Sequence, residues 1–387
     1  MLVKKANIFR INLYLLLFAV LLENNAMSVS QSTQVAMDEI SSLIAEKYID
    51  ENISQYAIDQ GALDGMLSAL DPYSTYYNNE ELQNFNNNTD GKFYGIGTEM
   101  VIDNDTRCAI ITSIIQNSPA AKAGIIVGDI ITHIDDDSVV GSKLSTIARK
   151  IRGDIGTSVR LTFYRPQTKE TFTRLITRQK IDIKNVSSKI YDKNIAVIKI
   201  EYFNNTTYDN FVDELNTIMG KYDIKGLIID LRNNPGGLLN SSVDIANLFL
   251  RNGQLITSVK TRNNKKTYDY IARNTMDLFK DIKIAVLINK GSASASEILA
   301  GALQDQGVAK LIGEKSFGKA LVQEVFKLKK SQGAVKITTG KYYTPKDKQI
   351  NGIGIQPDIE IPDSKNNKYD SILQYGIRYI KNSIKNN

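Results

Sequence analysis

The stretch from Ile282 to Gln323, IKIAVLINKGSASASEILAGALQDQGVAKLIGEKSFGKALVQ, limits what this chain can fold into more than any other. Ile284 to Ile288 form an unbroken apolar run of strand length. A strand without alternation is one buried on both faces, as in a parallel sheet covered by helices. Asn289-Lys290-Gly291 stops the run, and the small residues Ser292 to Ser296 make a tight turn. Ile298, Leu299, Ala302 and Leu303 then share one face of a helix. A hydroxyl in such a turn stands at the end of a rigid strand, beside helix N–H groups that lack partners of their own, and from there it can attack a carbonyl. Ser294 and Glu297 also fit the S-x-x-E capping box, in which the serine only closes the helix. The local pattern leaves both readings open.

The same alternation runs through residues 186 to 365. A strand at Ile195–Ile200, a helix at Tyr208–Met219, a strand at Gly226–Leu231 and a helix through Val243, Ile245, Leu248 and Phe249 all precede the opening stretch. This order predicts an α/β region with parallel strands and crossover helices, whose sites gather at the carboxyl ends of strands. Two such ends stand out. One is the serine turn, and the other is Arg232-Asn233-Asn234-Pro235-Gly236-Gly237-Leu238. Its glycines either bring backbone N–H groups close to an oxyanion or make a plain tight turn.

If Ser294 is a nucleophile, its base is not an imidazole. The chain holds one histidine, His133, which lies between apolar neighbours in a separate stretch, and one cysteine, Cys108. A Ser-His-Asp arrangement at the turn, a zinc site of several His or Cys ligands and an internal disulfide are thereby excluded. Lys319, between Gly318 and the apolar Ala320-Leu321-Val322, is the candidate base, whereas Lys315 beside Glu314 reads as solvated. A lysine accepts a proton only when neutral. Bringing its pKa from about 10.4 to about 7 by burial costs roughly 4 to 5 kcal/mol. The plain alternative is a surface charge.

At the amino terminus, Lys4, Lys5 and Arg10 precede the apolar run Ile11–Leu22. This predicts a secretory signal over residues 1–28 and places the protein in the periplasm or cell envelope. An uncleaved anchor in the inner membrane is the alternative, though a spanning helix needs about 20 apolar residues. Residues 31–88 read as an N-terminal helical region broken at Asp71-Pro72, with the Asn-rich segment 82–92 as a linker. The formal charge of +6 is scattered, without a basic stripe interleaved with aromatics, so nucleic acid is a poor partner.

Between these regions lies a small module. Strands are expected around Val101, Ile110-Ile111 and Ile130–Ile134, a helical turn at Ser118–Ala121 and a helix at Ser145–Arg152. The alternating Val159, Leu161 and Phe163 mark a final strand. Gly95-Ile96-Gly97, SPAAKAGIIVGDIITHID and IRGDIGTSVRLTFYR closely resemble a PDZ domain. The resemblance implies that Gly95, Ile96 and Gly97 offer N–H groups to a ligand's C-terminal carboxylate, while the tail adds as a strand to the edge of the sheet.

Farther along, GLIIDLRNNPGGLL, NKGSASASEILAGALQDQG, GEKSFGKALVQ and ITTGKYYTPKDKQINGIGIQPDIEI follow one another, with LDPYSTYY ahead of the module. In order and spacing they resemble the carboxyl-terminal processing peptidases, serine proteases with a Ser-Lys dyad and an embedded PDZ domain. The resemblance implies an α/β fold with a crotonase/ClpP-like protease core. Its division is a signal at 1–28, the helical region at 31–88, the PDZ domain at 89–168, the peptidase core at 169–365 and a helical tail at 366–387, with one helix around Tyr369–Ile384. It implies Ser294 as nucleophile, Lys319 as general base, Gln323 as the residue that orients the lysine, and the N–H groups of Gly237 and Ala295 as oxyanion hole. Ser292 and Ser296 are left with structural roles. The implied substrates are polypeptides with apolar C-termini, no metal or organic cofactor is needed, and homo-oligomerisation is left open. The module is also expected to gate the dyad, with Arg152 as a candidate for the coupling.

The sequence departs from the family pattern at Ala320, usually Gly, and at Tyr73, often the His of an LDPHS motif. Two other classes fit some of the same residues. A catalytically silent PDZ scaffold would bind tails without cutting them. A crotonase-like acyl-CoA hydratase or hydrolase would also place backbone N–H pairs at an oxyanion, but has little use for a PDZ-like module and a secretion signal.

Overall fold

The apolar run at Ile284–Ile288 lies inside the strand Lys283–Ile288, which is fourth in a six-stranded sheet. Across that sheet the order is Val186–Tyr191, Ile195–Ile200, Gly226–Asp230, Lys283–Ile288, Ala309–Gly313 and Ile359–Glu360. The first pair is antiparallel and the remaining pairs are parallel. Alternate residues of the run serve two different cores, which is why no polar residue interrupts it. Ile284, Val286 and Ile288 pack with the helices Thr207–Met219, Leu239–Phe249 and Ala295–Asp305. Ala285 and Leu287 face the C-terminal helix Ser371–Lys385 through Ile372, Ile377 and Ile380. Each of the isoleucine, valine and leucine side chains among these, once buried, contributes on the order of 1.5 to 3 kcal/mol. The structure is a computed structural model and describes residues 28–50, 53–103, 106–115, 117–142, 144–181, 185–262, 266–273, 279–363 and 370–385. The expected signal, except for its last residue, and Tyr369 lie outside the described residues.

A second sheet, antiparallel, was not legible in the sequence reading. Its order is Thr75–Tyr77, Ala334–Tyr343, Leu255–Thr261 and Thr267–Ile271, with Leu321–Lys327 on the other side of Ala334–Tyr343. It carries the segment just after Lys319, and through Thr75–Tyr77 it brings the LDPYSTYY motif to the same place.

The small module is a sheet in the order Thr98–Ile102, Ala109–Ile114, Ile130–Ile134, Ser158–Arg165 and Glu170–Thr177. Its core holds Ile96, Ile111, Ile131, Ile147, Leu161 and Phe163. The strand at Ser158–Arg165 is not the last one. Glu170–Thr177 pairs with it along its whole length, so by hydrogen bonding the module runs past residue 168 to Thr177. Chain entry and exit form one ribbon, Phe93–Gly95 against Gln179–Ile181. Arg178, buried at this exit, donates to the carbonyls of Lys150 and Ile151, which end the helix Leu144–Ile151. Thr98–Ile102 is an edge strand beside that helix, the arrangement in which an extended peptide can add.

The Asn-rich segment is not a linker over its length, because Asn79–Thr89 is a helix. Asn78 accepts from the Glu81 N–H and Glu81 reaches back to the Asn78 N–H, so a full capping box starts a helix that asparagine content alone argues against. Arg152-Gly153-Asp154 of the module face this helix across a cleft of about 280 Å³, with Glu80, Asn87 and Lys92 on the other side. Among the described residues, those up to Leu70 form a separate unit with the helices Gln31–Lys47 and Gln55–Ser68. Ser30 caps the first through the Thr33 N–H, and Val35, Ile40 and Leu43 along it are exposed.

Candidate active site

Ser294 sits where the strand Lys283–Ile288 gives way to the helix Ala295–Asp305, at φ 56° and ψ −115°. A non-glycine residue held there costs on the order of 1 to 3 kcal/mol, and such outliers persist only when their surroundings fix them. The flanking serines do that fixing. Ser292 Oγ donates to the Leu231 carbonyl at 2.8 Å and Ser296 Oγ to the Asn234 carbonyl at 3.0 Å, both fully buried. Ser294 itself is half-buried and opens on a cleft.

The glycine turn after the neighbouring strand is stapled to the same place. Ala293 N–H donates to the Asn234 carbonyl, the Asn234 amide to the Ile200 carbonyl, and Gly236 N–H to Asn234 Oδ1. A Cβ on Gly236 would lie 2.7 Å from Ser294 Cβ and 2.9 Å from Ala295 N, and one on Gly237 only 1.9 Å from the Phe203 carbonyl oxygen. Both glycines have positive φ, so these positions are glycine for reasons of both space and backbone. Among the described residues, neither the Gly237 N–H nor the Ala295 N–H has an acceptor in the chain. Two unpaired donors beside a hydroxyl that opens on the cleft can hold an oxyanion.

Lys319 lines the same cleft, together with Ser294, Gly237, Ala295 and Gln323, in a space of about 400 Å³. Phe85, Leu239, Ile298 and Val322 make much of its wall apolar. Burial, with the Lys336 ammonium nearby, pushes the Lys319 amine below the ordinary lysine range, against a smaller opposite pull from Asp71. The amine is not on the serine. Its Nζ lies 4.2 Å from the centre of the Tyr73 ring, and among the described residues it donates no hydrogen bond. Tyr73 is held there by Asp71, whose carboxylate accepts from the N–H groups of Tyr73 and Ser74 at 2.8 and 2.9 Å. Burial alone would raise the Asp71 carboxyl, yet these bonds and those from Thr338 and the Ser74 hydroxyl bring it below its usual range.

Gln323 does not touch the lysine in this arrangement. It follows a bulge in the pairing of Leu321–Lys327 with Ala334–Tyr343, and its amide donates to Thr338 Oγ1 at 3.2 Å. The partner of the amine is instead Tyr73, at the position the sequence reading left without a catalytic meaning. Ala320, the other departure, is fully buried.

The remaining sequence-selected residues belong to the module. Gly95 ends the strand Phe93–Gly95, Ile96 is buried in the module's core, and Gly97 at φ 82° packs against Ser118. Among the described residues, the N–H groups of Ile96 and Gly97 have no acceptor in the chain. His133 lies in the strand Ile130–Ile134 with Nδ1 3.1 Å from Thr132 Oγ1, in the module rather than the cleft.

A family profile described as Peptidase family S41 matches residues 194–361, and one described as PDZ domain matches residues 110–165. The carboxy-terminal-processing protease of Bartonella bacilliformis is 37% identical over 314 residues, which cover 80% of this chain and 71% of that protein. A probable CtpA-like serine protease of Staphylococcus haemolyticus is 38% identical over 308 residues, covering 79% of this chain and 60% of that protein. Against these two curated relatives the chain therefore spans between 60% and 71% of their length. Among solved structures, the photosystem II D1 C-terminal processing protease matches with a TM-score of 0.51 and 25% identity, over 86% of this chain and 94% of its own. The S41 protease structure from Bacteroides fragilis matches with a TM-score of 0.52 at 16% identity, over 89% of this chain and 97% of its own, a likeness of fold. This chain belongs to peptidase family S41, alongside its carboxy-terminal-processing proteases.

Proposed function

We propose that the protein is a serine endopeptidase of exported polypeptides, taking apolar C-terminal tails on its PDZ domain and cutting by a Ser-Lys acyl-enzyme mechanism. The observation that carries this reading is the cleft itself: a strained serine, two unpaired N–H groups and a lysine with a lowered pKa line one space. In the reaction the neutral Lys319 amine takes the Ser294 Oγ proton, and Oγ bonds to the peptide carbonyl carbon. The N–H groups of Gly237 and Ala295 hold the negative oxygen. The C–N bond then breaks and Lys319 returns the proton to the leaving amine. Water, deprotonated by the same lysine, then attacks the ester carbonyl; the C–Oγ bond breaks, and Lys319 passes the proton to Ser294 Oγ, which frees the acid and restores the hydroxyl and the neutral amine.

The amine over Tyr73 defines a resting arrangement, and engagement requires Nζ to move from the ring to the hydroxyl, with Gln323 exchanging Thr338 for the lysine as it does so. The module's part in that reading rests on the unpaired N–H groups of Ile96 and Gly97 beside an edge strand. Arg152, across the cleft from the helix Asn79–Thr89, is the proposed contact through which an occupied module acts on the dyad. Lys4, Lys5, Arg10 and the apolar run after them support export to the periplasm or cell envelope, with anchoring if the segment stays uncleaved. The core is read as crotonase/ClpP-like, and the exposed apolar residues of Gln31–Lys47 are compatible with a homo-oligomer.

The test is mass analysis of an unfolded polypeptide with an apolar C-terminus after incubation with wild type, Ser294→Ala and Lys319→Ala. Cleavage is expected with wild type alone. Turnover by either variant at the wild-type rate would sink the dyad.

A further inference from the structure

We propose that Glu297 and Tyr342 are positioning residues that hold the nucleophile turn and the base segment in register through their backbones. This deepens the Ser-Lys reading and rests on it. Glu297 lies in the first turn of the helix Ala295–Asp305 and is 1% exposed. One of its oxygens, Oε2, accepts from the Ser294 N–H at 2.9 Å and from the Lys319 N–H at 2.8 Å. The other, Oε1, accepts from the Gly318 N–H at 2.7 Å and from Ser316 Oγ at 2.5 Å. A capping box needs only the bond to the Ser294 N–H. The other three go to the segment that carries the base, and that surplus shows that the carboxylate does more than start a helix.

Tyr342 makes a second link between the same two residues, through the peptide units that follow them. Its hydroxyl lies 2.6 Å from the Lys319 carbonyl oxygen and 3.0 Å from that of Ser294, both acceptors. Burial first, then the Glu297 charge and a hydrogen bond to that carboxylate, push the phenol well above its ordinary range, which favours the protonated, donating form. The N–H groups of Ser294 and Lys319 are therefore tied by Glu297, and their carbonyls by Tyr342. Ser316 extends the frame, because its Oγ also accepts from the Ile355 N–H at 2.6 Å. Neither Glu297 nor Tyr342 is given a proton-transfer role. What they fix is where the Cα atoms of Ser294 and Lys319 stand, and a displacement of about 1 Å at a reacting centre is enough to lower a rate about 100-fold.

The experiment measures kcat and KM on an internally quenched peptide ending in Ala-Val-Ala, for wild type, Ser294→Ala, Glu297→Gln and Tyr342→Phe, with thermal midpoints alongside. In Glu297→Gln an amide NH2 must face N–H donors at one of the two oxygens, so one arm of the link opens. The expected result is a fall in kcat of about 100-fold with KM changed by less than about threefold. Tyr342→Phe keeps the ring and loses the link, with an expected fall of about 10-fold, again in kcat and not in KM. In both variants the pH midpoint of the rate is expected to stay where the wild type has it, because the lysine keeps its surroundings. Wild-type kcat in Glu297→Gln, or a loss confined to KM, overturns the proposal. If Glu297→Gln shows no cooperative unfolding transition, Tyr342→Phe decides alone, and an unchanged kcat there overturns it. Activity retained by Ser294→Ala would instead sink the Ser-Lys reading on which the proposal stands, whatever the other variants do.

Discussion

Replacing Tyr73 by leucine tests whether the ring holds the lysine in its charged form. The amine lies 4.2 Å from the ring centre, well inside the reach of a cation–π contact. In a half-buried setting such a contact stabilises the ammonium by about 0.5 to 2 kcal/mol. The neutral amine gains nothing comparable, so the ring raises the lysine pKa, partly offsetting the drop that burial and Lys336 impose. At 1.36 kcal/mol per unit, loss of the ring lowers that pKa by about 0.4 to 1.5 units. Leucine keeps an apolar wall beside the amine, so burial is retained. The assay is the pH dependence of kcat/KM, which reports groups of the free enzyme. In Tyr73→Leu its acidic limb is expected to move to lower pH by that amount. On that limb, at a fixed pH, the rate then rises about 2- to 30-fold. Tyr73→Phe, which keeps a ring, is expected to leave the limb in place. A limb that stays put in Tyr73→Leu, or moves to higher pH, would refute the idea that the ring favours the charged amine.

Two further outcomes follow from the same geometry. Gly237→Ala would put a Cβ 1.9 Å from a backbone oxygen, so the loop has to shift and its N–H leaves the place proposed for it at the oxyanion. A kcat loss of about 100- to 1,000-fold is expected, measured on the same peptide, with the thermal midpoint also lowered. Lys319→Met should stabilise the fold at neutral pH. The folded lysine has a depressed pKa, so below that value both folded and unfolded states carry the proton and the folded state bears the full cost of a poorly solvated charge. As pH rises from the folded pKa toward 10.5, the folded state loses its proton first and the cost is relieved. The denaturant-measured gap between Lys319→Met and wild type is therefore expected to be largest near neutrality and to shrink toward pH 10.

The parts of this molecule that could be read from the chain are those where one residue type has one physical use. Ile284 to Ile288 suited a strand buried on both faces and form one, and the single histidine, placed in the module, removed imidazole from the serine turn. The helix Asn79–Thr89 was missed because asparagine content outweighed an N-x-x-E cap at Asn78 and Glu81 that was there to be seen. The strand Glu170–Thr177 was missed because its exposed face puts Leu175 among threonines and its inner face alternates Phe172 and Ile176 with charged residues, so no clean apolar period marks it. Nothing local marks Tyr73 as the partner of Lys319, because the two meet only once Thr75–Tyr77 pairs with Ala334–Val335-Lys336. Glu297 was legible as half of a cap, whereas its bonds to Gly318 and Lys319 depend on a segment that the helix pattern does not specify.

The dyad is tested most directly by trapping the covalent intermediate. Wild type and Lys319→Ala are mixed with the peptide ending in Ala-Val-Ala, quenched in acid within the first turnover, digested and mapped by mass. An acyl group on the fragment containing Ser294 is expected in wild type and absent in Lys319→Ala. Full cleavage with no acyl group on any residue, or an acyl group on a residue other than Ser294, would contradict it.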